Sequence, residues 1–351
     1  MAKQYATPGV YIEEKSAFSN SVVSVATAIP AFIGYTQKAK AGRRDITNTP
    51  MRITSMVEFL SYFGGAPTTT FTLDTAGDNY SLSPDDGSNY LLFRSLQLFF
   101  ANGGGACYIV SVGGYGKGVS SAQLIGAETG GGITSLLKEQ EPTLVVVPDA
   151  VLLEEADCAT VQQAMIKHCG ADTRSRFAIL DVWEGYKART LLDDDVVDAA
   201  RGAYGNNFLD FGASYYPWLN ATVVGADDLS FRNISNGDNL VEVLNNEVDE
   251  NVSAGYVKAE KGDLIKEEIA KISDEDANVT SVSNLLKAVS PIYNDILAQV
   301  KESLNVLPPS GAIAGIYALV DSSVGVFKAP ANVSVSAVAG PTVNITADEQ
   351  E

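Results

Sequence analysis

The sequence predicts a doubly wound α/β core that carries an extended N-terminal arm and an inserted, partly helical outer region. Two observations predict the core. Between Cys107 and Val224, short apolar runs of strand character alternate with amphipathic helical patterns, the order expected of parallel strands joined by helices. The connections between those runs are long enough for right-handed crossovers. A third predicts the insertion, because Gly225 to Val306 breaks the alternation. Its first half is acidic (Glu242, Glu247, Asp249, Glu250), and helical patterns run over Leu264–Ile272 and Val282–Leu304. The division that follows is an arm at 1–20, an α+β part at 21–100, a core at 101–224 and 306–340, and an outward-facing insertion at 225–305.

Residues 1–20 are polar and extended in character. Pro8-Gly9 makes a break, and Val10 and Ile12 alternate with Tyr11 and Glu13 as a short strand, followed by a linker from Lys15 to Asn20. A strand tethered by a linker needs a partner strand, either at an edge of its own subunit or on a neighbour. Ser21 to Tyr35 is apolar and β-branched, a buried strand interrupted at Pro30. Lys38 to Arg44 is a short solvated basic loop. The run ITSMVEFLSYF turns from strand to helix, with Val57, Leu60 and Phe63 on one face and Gly64-Gly65 at its end. Ala66 to Asp86 is a surface loop or hairpin. A helix then starts at Ser88, with Leu92, Leu96, Phe99 and Phe100 inward and Gly103 to Gly105 ending it. Buried strands follow at Cys107–Val112, Thr143–Pro148, Phe177–Trp183 and Ser214–Val224. Helices lie between them at Leu152–Cys169, with Val161, Met165 and Cys169 inward, and at Arg189–Arg201.

The chain of 351 residues is 46% hydrophobic and 19% charged, enough apolar content for a packed core and too little charge for global disorder. Its formal charge of −19 disfavours nucleic acid and anionic membranes as partners, because both repel an acidic surface. No apolar run is long enough to span a bilayer, and the first residues lack the apolar centre of a secretory signal. Cys107, Cys158 and Cys169 follow no metal spacing. On one helix, Cys158 and Cys169 would stand about 16 Å apart, too far for a disulfide. All three read as buried thiols in a reducing compartment.

Few residues offer chemistry. The loop Gly113–Gly118 follows a strand and imitates a phosphate loop, but Gly118 stands where Ser or Thr would hold a metal, so a tight turn is the better reading. The TGGGIT run, Thr129–Thr134, reads as a flexible loop. His168 is the single histidine, which rules out zinc sites built on two or three histidines. At a helix end, facing unpaired carbonyls, it needs no catalytic role, and adjacent Cys169 points away from it. Asp193 to Asp195 is an acidic helix start, favourable with the helix dipole. Asp149 and Asp181 sit at the C-terminal ends of strands, where α/β enzymes keep their acids. With the Gly113–Gly118 loop they define the alternative reading, a hydrolase or nucleotide-dependent enzyme.

Leu307 to Asn332 organises the rest. Pro308 and Pro309 stop the preceding element, and Ser310 caps a helix with Ile313, Ile316, Tyr317 and Val320 on one face. Gly315 lies among Ala312, Ala314 and Ala318, the composition of a close backbone approach, here expected against the sheet. Lys328 follows among small residues and prolines. This stretch, PPSGAIAGIYA followed by GVFKAPAN, closely resembles the signature of contractile tail sheath proteins of phage tails and related injection systems. TPGVYIEE (Thr7–Glu14), TAIPAFIGYT (Thr27–Thr36), SMVEFLSYFGG (Ser55–Gly65), LFFANGGGACYIVSV (Leu98–Val112) and YYPWL (Tyr215–Leu219) resemble the same family in the family's order.

The resemblance implies a subtilisin-like core without enzymatic activity and with no cofactor or metal. Pro308, Pro309, Gly315, Tyr317, Lys328, Pro330 and Asn332 would be its structural signature. The strand Val10, Tyr11, Ile12 and Glu13 would pair into a neighbouring subunit's sheet. Copies of the chain would stack as hexameric rings around an inner tube protein, with baseplate and terminator proteins at the ends. Contraction would drive the tube through a target envelope. Assembly would take place in the bacterial cytoplasm, and the product would be a phage tail or a released or membrane-docked injection particle. Neither nucleic acid binding nor membrane insertion is implied. Sheath proteins continue past the region corresponding to Thr346–Glu351 into a C-terminal domain, so the expectation is a truncated form, a fragment, or a variant lacking the tube-facing part.

Overall fold

The computed structural model of the chain describes residues 27–76, 79–190, 195–274 and 276–346. The arm at 1–20, with Val10, Tyr11, Ile12 and Glu13, lies outside the described residues. At the centre is a mixed, mostly parallel sheet. It is built from β1 (Pro30–Thr36), β4 (Met51–Ile53), β7 (Cys107–Gly114), β8 (Leu144–Val146), β9 (Phe177–Asp181) and β10 (Gly212–Tyr215), in the order β10-β9-β8-β1-β7-β4. Only β4 runs antiparallel to its neighbour. A parallel sheet must bury both faces, and the strands obey this residue by residue. Phe32, Cys107, Ile109, Leu144, Val146 and Ile179 point to one face, while Ile33, Tyr35, Val110, Val145 and Leu180 point to the other.

The first face is covered by α1 (Met56–Phe63), α2 (Leu92–Ala101) and α11 (Ser310–Ser323). The second is covered by α3 (Ser121–Ile125), α4 (Gly132–Ser135) and α5 (Glu155–Lys167). Two of these differ from expectation. On α1 the inward residues are Phe59 and Phe63, whereas Val57 and Leu60 are 76% and 44% exposed. Two rings four residues apart remove more apolar area from water than a valine and a leucine, and they set the helix's rotation. The TGGGIT run is no flexible loop. Gly132 and Ile133 are buried, and a Cβ on Gly132 would stand 2.1 Å from the Leu124 carbonyl oxygen.

The hairpins β2 (Lys40–Ala41) with β3 (Arg44–Asp45) and β5 (Phe71–Ala76) with β6 (Asn79–Pro84) account for the two polar loops. After α6 (Val196–Ala203), the run expected as one strand from Ser214 to Val224 divides. β10 ends the central sheet, and β11 (Leu219–Ala221) pairs between β12 (Val306–Leu307) and β13 (Val338–Pro341) in a separate antiparallel sheet. Pro217 between them carries no N–H for a ladder.

Residues 224–304 hold a second hydrophobic core, built from α7 (Gly237–Ser253), α8 (Ala259–Ala270), α9 (Val279–Val289) and α10 (Pro291–Asn305). The pattern expected as one helix over Val282–Leu304 is two, because Pro291 begins α10 and the Ser290 side chain accepts the Tyr293 N–H. Phe71 and Leu73 of the β5–β6 hairpin pack into this helical core. Asn236 locks them there, its Oδ1 accepting the Leu73 N–H at 2.9 Å and its Nδ2 donating to the Leu73 carbonyl at 2.8 Å. Among the described residues no helix is long and apolar enough to cross a membrane.

Candidate functional site

In an open α/β sheet the ligand crevice lies beyond the carboxyl ends of the strands, where the strand order reverses. Here the chain runs from β1 to β7 on one side and then crosses to β8 on the other, so the reversal falls between β1 and β8. That position is filled by the protein itself. Asp149, directly after β8, is fully buried, and its carboxylate accepts three backbone N–H groups: Tyr35 at 2.9 Å, Leu91 at 2.6 Å and Leu92 at 3.1 Å. Gly34 admits it, since a Cβ there would stand 2.4 Å from Asp149 Oδ2. Burial raises the carboxyl to about 6 against the lowering effect of the three N–H donors. Asp149 therefore ties β1 to the entrance of α2.

Asp181, at the end of β9, is also buried. Its Oδ1 accepts the Ser310 N–H at 2.8 Å, and burial pushes the carboxyl up to about 7. Ser310 is the first residue of α11, and Pro309 before it has no N–H to satisfy. The acid is thus a cap supplied by the sheet to the signature helix, on the positive end of its dipole. The strand-end acids of the enzyme reading each have a structural partner of their own.

The glycine loop has its own occupant. The N–H groups of Gly116, Lys117 and Gly118 converge on the Tyr90 hydroxyl at 2.9, 3.2 and 3.1 Å. A phosphate loop would aim such donors at a ligand, whereas here a side chain of the same chain fills the cradle. His168 is buried at the end of α5, in a π-turn that runs to Thr173. Its Nε2 lies 2.7 Å from Nη1 of Arg176, and burial followed by that cation lowers the imidazole to about 4. The neutral ring accepts a guanidinium N–H, so its partner is Arg176 rather than the helix-end carbonyls expected. Burial raises all three thiols, Cys158 and Cys169 to about 12. No group of side chains among the described residues has the makings of a metal site. Asp195 caps α6 by accepting the Val197 and Asp198 N–H groups, as a helix-start acid should.

The signature stretch is built around α11. Pro308 and Pro309 are buried where β12 meets the helix. Gly315 faces α2, not the sheet as expected: a Cβ there would lie 2.5 Å from the Phe99 carbonyl oxygen and 2.9 Å from Asn102 Cβ. Gly311, one turn earlier, lies as close to Ser95, whose carbonyl oxygen would be 2.4 Å away. Their four-residue spacing was the signal for a helix partner, because residues i and i+4 share one face. Tyr317 stacks on Phe177 and its hydroxyl is 2.9 Å from that of Tyr215. Asn102 extends the seam by pairing with Ser336 at 2.7 and 3.1 Å, beyond the signature. Past the helix the chain emerges. Lys328 and Asn332 are exposed, Asn332 is left-handed (φ 56°), and Pro330 is half-buried. Val324, Val326 and Phe327 are 47%, 66% and 84% exposed.

The sequence matches no protein-family model and no curated protein. Among solved structures, the chain is similar to one in the anti-feeding prophage (AFP) helical sheath in its contracted state, with 21% identity and a TM-score of 0.48 over 99% of this chain and 61% of that one. It is also similar to a chain of the PVC sheath complex of an extracellular contractile injection system in its contracted state. There the identity is 21% and the TM-score 0.44, over 99% of this chain and 60% of the other. A chain of the AFP baseplate, 6-fold symmetrised, gives 21% identity and a TM-score of 0.48. The chain spans about three fifths of the length of these chains.

Proposed function

We propose that this chain is a structural subunit of a contractile sheath and acts by packing rather than by catalysis. The observation that carries the reading is the ordered set of sheath-like segments from residue 7 to residue 332, together with what the described ones do. TAIPAFIGYT supplies β1, an interior strand between β8 and β7, and SMVEFLSYFGG supplies α1. LFFANGGGACYIVSV supplies the end of α2 and most of β7, and PPSGAIAGIYA supplies the helix that closes on α2. These segments pack on one another, so the resemblance tracks a single architectural unit. The acids and the glycine loop that an enzyme would use are engaged in holding that unit together.

On this reading the core is subtilisin-like and copies stack as hexameric rings around a tube whose passage contraction drives. The strand Val10 to Glu13 is then an exchanged strand, and the helical unit at 225–305 faces outward. Immunogold electron microscopy of particles from producing cells tests this, using an antibody raised against residues 225–305. Label repeating along tubes or tails is the expected result. Label that stays off such particles would overturn it.

A further inference from the structure

The helical unit meets the α/β core across a cleft of about 390 Å³, walled by Arg94 and Gln97 of α2, by residues 66–68, and by Asp228, Ser230 and Arg232. Arg94 is 4% exposed. Its Nη1 donates to Asn89 Oδ1 at 3.0 Å and its Nη2 to Thr69 Oγ1 at 3.1 Å, both neutral acceptors. A guanidinium has five N–H groups, so most of its capacity is unspent. None of the ion pairs among the described residues includes it. Asp228 lines the same cleft, but its Oδ2 accepts the Gly225 N–H at 2.7 Å and it forms no ion pair with Arg94. Burial draws the guanidinium down to about 10. Among the described residues no acid forms an ion pair with this cation.

The other buried arginine sharpens the contrast. Arg176 also lacks a carboxylate, but its donors reach the carbonyls of Pro142 and Glu139 and the ring of His168. Arg94 instead borders open space. Taking a charge out of water is tolerated where a counter-charge or a full set of acceptors replaces the solvent. Around Arg94 neither is complete among the described residues, and its side chain lines the cleft.

We propose that this cleft binds a small oxyanion, a phosphate or carboxylate group that supplies the counter-charge of Arg94. The planar fork of a guanidinium suits two oxygens of such a group. Gln97 and Ser230 border the same space, and Arg232 stands on the helical unit's wall. A bound anion would therefore tie α2 to residues 228–233 and couple the core to the helical unit.

The test is thermal unfolding of the full chain titrated with inorganic phosphate or with acetate, against chloride at constant ionic strength. Phosphate should raise the melting temperature by about 3 °C near saturation. Acetate as effective as phosphate assigns the site to carboxylates, such as a protein side chain, whereas phosphate alone assigns it to a free phosphate-type anion. Arg94→Met should melt no lower than the parent in chloride, since it removes an unpaired buried charge, and should lose the shift. Arg94→Lys keeps the charge without the fork and should move the phosphate midpoint up by about tenfold. No shift in the parent with either anion, or the same shift and midpoint in Arg94→Lys, would overturn the proposal.

Discussion

Replacing Gly315 by alanine sets two effects of opposite sign against each other on α11. Helical propensity favours alanine over glycine by about 1 kcal/mol in a helix interior. Packing opposes it, because the new Cβ would stand 2.5 Å from the Phe99 carbonyl oxygen and 2.9 Å from Asn102 Cβ. Neither neighbour yields easily. The Phe99 carbonyl accepts the Gly104 N–H at 2.9 Å and the Asn102 N–H at 3.2 Å, and the Asn102 side chain is pinned to Leu98 and Ser336. Ordinary carbon contacts lie at about 3.5–4.0 Å, so α11 must retreat by roughly 1 Å. That retreat also loosens Gly311 against Ser95 and the contacts of α11 with the sheet. Overpacking of this kind costs about 1–3 kcal/mol, and the opened gap adds lost dispersion, so a net loss of about 1–3 kcal/mol remains after the propensity gain.

Urea unfolding followed by tryptophan fluorescence measures this cleanly. Both tryptophans, Trp183 and Trp218, pack with the α/β core, so the signal reports the unit that contains α11. The midpoint should fall with the slope unchanged. Gly202→Ala is the matched control: Gly202 lies in α6, and a Cβ there would meet nothing within 4 Å. It should stabilise by about 0.5–1 kcal/mol. If Gly315→Ala stabilises like Gly202→Ala, the close approach of α2 and α11 is not what requires glycine, and the reasoning fails.

Asp149→Ala strands three buried N–H groups at the reversal point, and should destabilise the core by about 3–6 kcal/mol in the same urea assay; a loss under 1 kcal/mol would mean those donors find other partners. Asp181 has a folded-state pKa raised to about 7 from the ordinary 3.8, so the native protein holds the proton more tightly than the unfolded chain, and this residue's contribution to stability falls as pH rises between those values. Asp181→Asn keeps an acceptor for Ser310 without titrating; its midpoint should match the parent at pH 3.5 and exceed it at pH 8, and parallel pH profiles would contradict the assignment. Phe327→Ser, at a side chain 84% exposed, should leave folding within about 0.5 kcal/mol of the parent while reducing incorporation into labelled particles; unchanged incorporation would remove Phe327 from any assembly contact.

The sheet was legible because its strands carry apolar residues on both faces, and such runs name themselves wherever they occur. Boundaries and faces were less so, and the failures have physical causes. Counting Val57, Leu60 and Phe63 as one stripe on α1 gave every apolar residue the same weight, whereas the rings of Phe59 and Phe63 decide the orientation. The break at Pro291 was written in the sequence as Ser-Pro, a cap followed by a first-turn proline, but the apolar periodicity runs on through it. Gly315 announced a close approach without naming the approaching element, because a missing Cβ records a distance and not a partner. Arg94 was invisible. Nothing in FRSLQLFF distinguishes a solvated arginine from a buried one, since burial of a charge is decided by the three-dimensional neighbours.

The candidate site teaches the same lesson from the opposite direction. An acid at the end of a parallel strand, followed by a turn, looks alike in an enzyme and in a scaffold. What separates them is the far end of the hydrogen bond. In this chain Asp149 meets three backbone N–H groups, Asp181 meets the start of α11, and the glycine loop meets Tyr90. Each site that elsewhere would take a ligand instead takes another part of the chain, and each bond joins segments far apart in sequence. Buried hydrogen bonds of this kind are directional and strong where water is excluded, so they fix how β1, α2 and α11 sit as well as holding them together. The chemistry of an α/β crevice has here been turned inward to brace the fold.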